Sequence, residues 1–446
     1  PQNSKHLVWV FAGESYMRVC MLTEYFNPNG AGGVPSMMPQ LAQRIMTRYP
    51  DVAVDVITSR NVYRGDANAK RPAFETWQGI NVHALPTPRS NQLSVSKRLL
   101  AGSLFTAAVF AKLMELPTYD LILSATSPPM IPAAVRAVSL LKGTPYLYLV
   151  HDLFPDVGVA LGTVPASHPV TRVAQHAQHG WLNHASRVLV IGRCMRDYIH
   201  RTYQVPIEQI SIIPNWADDQ CITPRPKTTK FRAQHGLHGF VVLYSGNFGH
   251  YQNFDAILDA AKQLRAMGRD EITFVFVGEG AKWHHIADRI AREHITNARQ
   301  FPLVPTEDYP DLLASADVSL VTLEPGAEAV GVPSKFYNIL ASGRPVLATL
   351  APSPEVARVI DESWCGVRVD QGDVPAFVQA VTELADAPET CETMGRNART
   401  VLTSSFTLDH AAERFYQAFT NVLSEREPVA VSRRLPERSA SDARSR

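Results

Sequence analysis

The chain has little cysteine, almost no net charge and no apolar run long enough to cross a bilayer, and each shortage removes a class of protein. Cys20, Cys194, Cys221, Cys365 and Cys391 are scattered over 446 residues without C-x-x-C spacing or paired histidines. Neither a disulfide framework nor a metal site is expected. His176 and His179 stand three apart, but no carboxylate or thiolate shares their segment at ligand spacing. Lys and Arg number 43 against 42 Asp and Glu, a formal charge of +1. No global field therefore draws the protein to nucleic acid. The apolar stretch 99–111 follows Lys97 and Arg98 and is closed by Lys112 and Glu115. It falls short of the roughly 20 residues a span needs and reads as a buried helix, with a membrane-surface helix as the second option. Residues 1–16 lack a charged end followed by an apolar core and read as an upstream extension rather than a signal peptide. A cytoplasmic protein, peripheral at the inner face of the membrane, is the expectation. No G-x-S-x-G, Walker A or H-E-x-x-H constellation occurs, and no G-x-G-x-x-G follows the first strand. Hydrolase, NTPase, metalloprotease and dinucleotide oxidoreductase chemistry lose their usual signatures.

Hydrophobic residues are 45% of the chain and charged residues 19%, a profile able to bury large cores. The length suggests two domains of about 200 residues and hence a cleft. Short β-branched runs at 19–23, 52–58, 121–125, 146–150, 187–191 and 210–214 alternate with helical patterns near 34–49, 97–116, 130–141, 170–183 and 195–203. That alternation predicts a parallel sheet with helices on both faces. Pro224, Pro226 and a Thr/Lys run in 223–230 mark a linker. The alternation restarts with strands at 241–245, 273–277, 318–323, 346–349 and 367–369 and helices from about Asn253, Ala281, Asp308, Ser334, Val374 and Leu408. The expected division is 17–222, 231–404, a last helix at 405–425 crossing back to the first domain, and a disordered tail at 426–446.

Glycines cluster where strands end. Ser245-Gly246-Asn247-Phe248-Gly249 follows one strand and Gly278-Glu279-Gly280 the next, at the carboxyl edge where open α/β sheets bind ligands. The segment 334–345 reads as one complete helix: Ser334 as N-cap, Phe336, Ile339 and Leu340 as its apolar face, Gly343 and Pro345 as its end. A lysine in its first turn, Lys335, opposes the helix dipole unless an anion sits there, so this helix end predicts a phosphate site. In the first half, Gly30-Ala31-Gly32-Gly33 precedes a helix and His151 with Asp152 ends a strand on the ligand edge.

These segments resemble family 4 glycosyltransferases, in particular the fucosaminyltransferase-like branch of bacterial O-antigen and exopolysaccharide synthesis. The resemblance spans 17–425 and is carried by Glu24-Tyr25-Phe26-Asn27-Pro28 with Gly32-Gly33, Val150 to Asp156, Ile213 to Asp218, the two glycine turns, and Pro333 to Val346. It implies a GT-B fold, two Rossmann-like, doubly wound α/β domains facing a cleft. It implies a retaining hexosyl- or N-acetylhexosaminyltransferase that moves sugar from a nucleotide sugar, expected to be a UDP-sugar, to a glycan or lipid-linked acceptor without metal or other cofactor. His151, Asp152 and Lys335 take catalytic roles. Gly246, Asn247, Gly249, Gly278, Glu279, Gly280, Leu303, Glu328, Ser334 and Asn338 take the donor, with Leu303 in a base-contacting loop at 301–305. Gly32, Gly33 and Asp156 take the acceptor. The chain departs from the family where Asn247 and Gln252 replace an Arg and a Lys and Asn338 replaces a ribose-binding glutamate. Either Glu324 or Glu328 stands for the other glutamate. The alternatives are a sugar-nucleotide epimerase of the same fold and an inactive nucleotide-sugar-binding subunit.

Overall fold

The computed structural model describes residues 16–28, 33–62, 70–88, 95–326 and 332–426. Glu328, Gly32 and nearly all of the tail at 426–446 lie outside them. The first sheet contains β1 (Met17–Leu22), β2 (Val52–Ser59), β3 (Phe74–Trp77), β4 (Ile80–Leu85), β5 (Leu121–Ala125), β6 (Tyr146–Val150), β7 (Arg187–Val190) and β8 (Ile210–Ile212). Their order is β3-β4-β2-β1-β5-β6-β7-β8, parallel except for the β3–β4 hairpin. The second sheet contains β9 (Phe240–Asn247), β10 (Ile272–Glu279), β11 (Ala298–Phe301), β12 (Val318–Thr322), β13 (Val346–Thr349) and β14 (Gly366–Val369). Its order, β11-β10-β9-β12-β13-β14, is parallel throughout. In both sheets the strand order reverses beside the first strand, which opens a crevice at the carboxyl edge.

The central strands are apolar on both faces because helices cover both: every residue of β5, β6, β12 and β13 is buried. β3, β4 and β11 were not expected from the sequence. The first two form a hairpin closed by Gln78 and Gly79 at φ 49° and 83°. This is the doubly left-handed turn that tight hairpins require; β3 is short and largely exposed at the sheet edge, so no apolar run marks it. The helix Pro388–Ser405 was also unexpected, for its sequence is mostly polar.

The chain passes between domains twice, and the two passages touch. Ala217 and Thr407 form a parallel bridge, with the Ala217 N–H donating to the Phe406 carbonyl at 3.1 Å. Beyond it, helix Leu408–Ser424 returns to the first domain and packs on helix Val34–Arg48. Phe415 and Phe419 enter that domain's core, Tyr416 stacks on Tyr49 at 3.7 Å, and Arg44 pairs with Asp409 at 2.7 Å. Between the domains one apolar cluster is continuous, joining Ile191 and Met195 to Phe336, Ile339 and Leu340. At its edge Arg193 holds Glu355 at 3.0 Å and Glu362 at 2.6 Å.

Candidate active site

A cleft of about 470 Å³ lies between the two carboxyl edges. From the first domain it receives the start of helix Val34–Arg48, through Gly33, Ser36, Met37 and Gln40, and Asp152 after β6. Gly33 caps that helix at φ 73°, a left-handed backbone that glycine adopts without strain. The second domain contributes the turn after β9, the chain around Leu303 and Tyr309, and the start of helix Lys335–Ser342. Two helix N-termini, each an anion-favouring end, therefore open on one space.

Lys335 is the only lysine or arginine in the lining among the described residues. Its ammonium donates to the Tyr244 hydroxyl and lies 3.7 Å from the centre of that ring. The Tyr244 hydroxyl in turn donates to the Asn247 carbonyl at 2.7 Å. A Cβ on Gly246 would come within 3.3 Å of Lys335 Cε, so the glycine leaves room for the lysine stem. No carboxylate pairs with this ammonium among the described residues, and burial lowers its pKa to about 7. An arriving dianion would restore the charge.

The cleft gathers Gly33, Asp152, Gly246, Asn247, Leu303, Ser334, Lys335 and Asn338. Asn338 Nδ2 lies 3.5 Å from the Tyr309 hydroxyl. Ser334 differs from expectation: its backbone is already helical and its side chain does not cap the helix, leaving the hydroxyl at the cleft wall.

Other predicted site residues stand outside the cleft lining. His151 is 6% exposed and stands outside the cleft lining. Its backbone N–H donates to Thr126 Oγ1 at 3.2 Å, and burial lowers the ring pKa to about 4, which keeps the imidazole neutral. Asp156 is 3% exposed, and its carboxylate accepts from the Tyr198 hydroxyl at 3.0 Å and from the Tyr203 hydroxyl, an interior network. Gly278 and Gly280 lie behind the lining and serve close packing. A Cβ on Gly278 would sit 1.8 Å from the Gly246 carbonyl, and one on Gly280 2.7 Å from Asn247 Oδ1. Glu279 is exposed in register with Asn247 outside the cleft, and Gly249 lies behind Asn247, its N–H donating to Gln252 Oε1 at 2.9 Å. Glu324 pairs with Lys282 at 2.6 Å, away from the lining.

Sequence reasoning missed Tyr244, Tyr251 and Tyr309. Only Tyr244 carried a signal, since i and i+2 share a strand face and it precedes Gly246 by two. Among the described residues no group of three or more His, Cys, Asp and Glu is placed to hold a metal.

Two parallel sheets, each presenting its switch point to a shared cleft with a helix-end cation, define the GT-B class of fold. Residues 32–216 match the family model described as "Glycosyl transferase 4-like domain", and residues 239–387 the model "Glycosyl transferases group 1". The chain belongs to the family 4 glycosyltransferases. It is 28% identical to the probable glycosyltransferase WbjE of Pseudomonas aeruginosa, over 76% of this chain and 84% of that protein. It is 25% identical to the putative colanic acid biosynthesis glycosyl transferase WcaI of Escherichia coli K12, over 67% of this chain and 74% of that protein. The fold is also that of Anabaena Alr3699/HepE, solved with UDP: TM-score 0.67, 17% identity, 91% of this chain and 100% of that one.

Proposed function

We propose that this glycosyltransferase uses a UDP-sugar, retains anomeric configuration, and extends a glycan or lipid-linked acceptor in cell-surface polysaccharide synthesis. The observation that carries the reading is the ammonium of Lys335, paired with no carboxylate among the described residues and set against Gly246 at a helix N-terminus. There the departing diphosphate meets one full positive charge and the helix dipole, an electrostatic arrangement set before the reaction. The relatives' names, WbjE and the colanic acid enzyme WcaI, support the polysaccharide assignment, and UDP in the HepE structure supports the donor. Leu303, Val304 and Tyr309 offer an apolar wall for the base. Asp152 faces the space in which a donor sugar and its acceptor would meet.

Retention follows if the leaving diphosphate takes the acceptor's proton on the face it departs from. The epimerase alternative needs paired acids in the cleft. Of the two aspartates lining it among the described residues, Asp218 already accepts the backbone N–H groups of Gln220 and Cys221 at 3.0 and 3.1 Å, which weighs against that chemistry. Peripheral membrane contact is part of the proposal. No helix among the described residues is long and apolar enough to cross a membrane. Leu99, Leu100 and Leu104 are 45%, 61% and 48% exposed at the amino end of helix Val95–Glu115, beside Lys97 and Arg98. Phe105 is 2% exposed and belongs to the core.

The test is a thermal-shift panel of UDP-, GDP- and ADP-sugars. A ligand at 100 times its Kd stabilises by about 2.7 kcal/mol, so UDP-sugars should raise Tm and the other two should not. A shift with GDP- or ADP-sugars alone would reject the donor assignment.

A further inference from the structure

Two polar side chains on opposite walls of the cleft have no partner among the described residues. Asp152 comes from the first domain and Tyr251 from the loop after β9 in the second. Among the described residues, neither the carboxylate nor the phenol hydroxyl makes a hydrogen bond or ion pair. Tyr251 is nevertheless held firmly. Its carbonyl accepts the Glu324 N–H at 2.6 Å, and its side chain packs, partly buried, against the apolar cluster that joins the domains. Asp152 is as well placed, directly after the fully buried β6.

The two groups sense each other across the divide. The Asp152 charge adds to burial in pushing the Tyr251 phenol well above its usual range, and burial alone pushes the Asp152 carboxyl up to about 6. An ionised carboxylate only accepts hydrogen bonds, whereas a phenol that stays protonated donates. A phosphate in this gap would be repelled by Asp152, an apolar group would leave both unsatisfied, and an ammonium would satisfy one. An alcohol satisfies both.

We propose that Asp152 and Tyr251 together hold one sugar hydroxyl, whose hydrogen goes to the carboxylate while its oxygen accepts the phenol hydrogen. The pair is a positioning and specificity device built from both domains, so it reads the hydroxyl only when the walls stand together around it. It rests on the nucleotide-sugar reading of the cleft and adds to it the residue, Tyr251, that faces Asp152.

Tyr251→Phe, Asp152→Asn and the double variant test it by calorimetry with UDP and with UDP-glucose, UDP-galactose and UDP-N-acetylglucosamine. UDP affinity and Tm should hold in all variants. If the hydroxyl is the donor's, the added affinity of the preferred UDP-sugar over UDP falls roughly tenfold in Asp152→Asn, the scale of a hydrogen bond to a charged group, and by a smaller factor, that of a neutral hydrogen bond, in Tyr251→Phe. If it is the acceptor's, donor affinity holds and KM for a glycolipid extract rises by a similar factor. In either case the double variant should lose much less than the product of the singles, because one hydroxyl carries both bonds. Unchanged sugar affinity and unchanged acceptor KM, or fully multiplicative losses, would overturn the pair. Failure of the unaltered protein to bind UDP would instead overturn the reading of the cleft beneath it.

Discussion

Lys335 lies against the backbone of Gly246, with its Nζ 3.4 Å from where a Cβ on that glycine would stand. One residue supplies the charge and the other the space, although 88 residues separate them in the chain. Their apposition makes the helix end at Lys335 and the turn after β9 a single site.

Removing the charge should separate rate from stability. Lys335→Ala is expected to lower kcat/KM by about 2 to 4 kcal/mol in barrier terms, the scale of one preorganised electrostatic contact. Tm should hold or rise, since a desolvated cation at a helix N-terminus is lost. Near-normal kcat/KM and UDP affinity in this variant would move the diphosphate elsewhere. Arg344 is a poor substitute, because it is spent on the Arg225 and Ala314 carbonyls at 2.7 Å.

Lys335 should also couple UDP binding to protons. Its pKa is near 7 in the free protein and rises when a diphosphate arrives, so above pH 7 binding takes up a proton and weakens as pH increases. Calorimetry at pH 8 in two buffers of different ionisation enthalpy should show uptake approaching one proton, absent in Lys335→Arg. The stability effect follows the same depression. The unfolded chain holds this proton more tightly between pH 7 and ordinary lysine values, so stability rises with pH across that window. Lys335→Met should therefore stabilise most below pH 7 and progressively less above it.

The two glycine turns should fail differently. Gly246→Ala places a methyl against the lysine stem at φ 132°, and UDP affinity should fall while much of the fold survives. Gly278→Ala drives a Cβ into the Gly246 carbonyl. It should cost several kcal/mol, seen as a clear drop in Tm with UDP absent. Equal Tm losses in the two variants would remove the distinction.

Transfer is expected to survive excess EDTA, since Lys335 and the helix end meet the diphosphate charge. Loss of activity on chelation, with recovery on adding a divalent ion, would contradict the proposal. Cosedimentation with anionic vesicles should fall in Leu100→Asp and Leu104→Asp. Both residues are exposed, so folding should be preserved, and unchanged binding would remove the membrane face.

What the sequence made legible follows from burial. β5, β6 and β13 lie where the apolar runs place them because strands covered on both faces read as nearly continuous apolar runs. β11 reads Ala-Arg-Gln-Phe at a sheet edge and offers no such run. In the site, Lys335 and Gly246 stood out because each breaks a local rule at an element boundary. Which of His151 and Asp152 faces the cleft was not legible: alternation ends with the strand, and only the opposite domain tells them apart. Tyr251 and Tyr309 acquire their places from contacts distant in sequence, which leave no local mark.

Helix Leu408–Ser424 supplies Phe415 and Phe419 to the core of the first domain, and this has a consequence for biosynthesis. Domains that emerge first from the ribosome commonly fold first, but here the first-sheet unit lacks a wall until helix Leu408–Ser424 has been made. A nascent chain released early would expose the apolar side of helix Val34–Arg48 and offer a handle to chaperones and proteases. Truncated products should therefore be cleared rather than accumulate as half-folded chains.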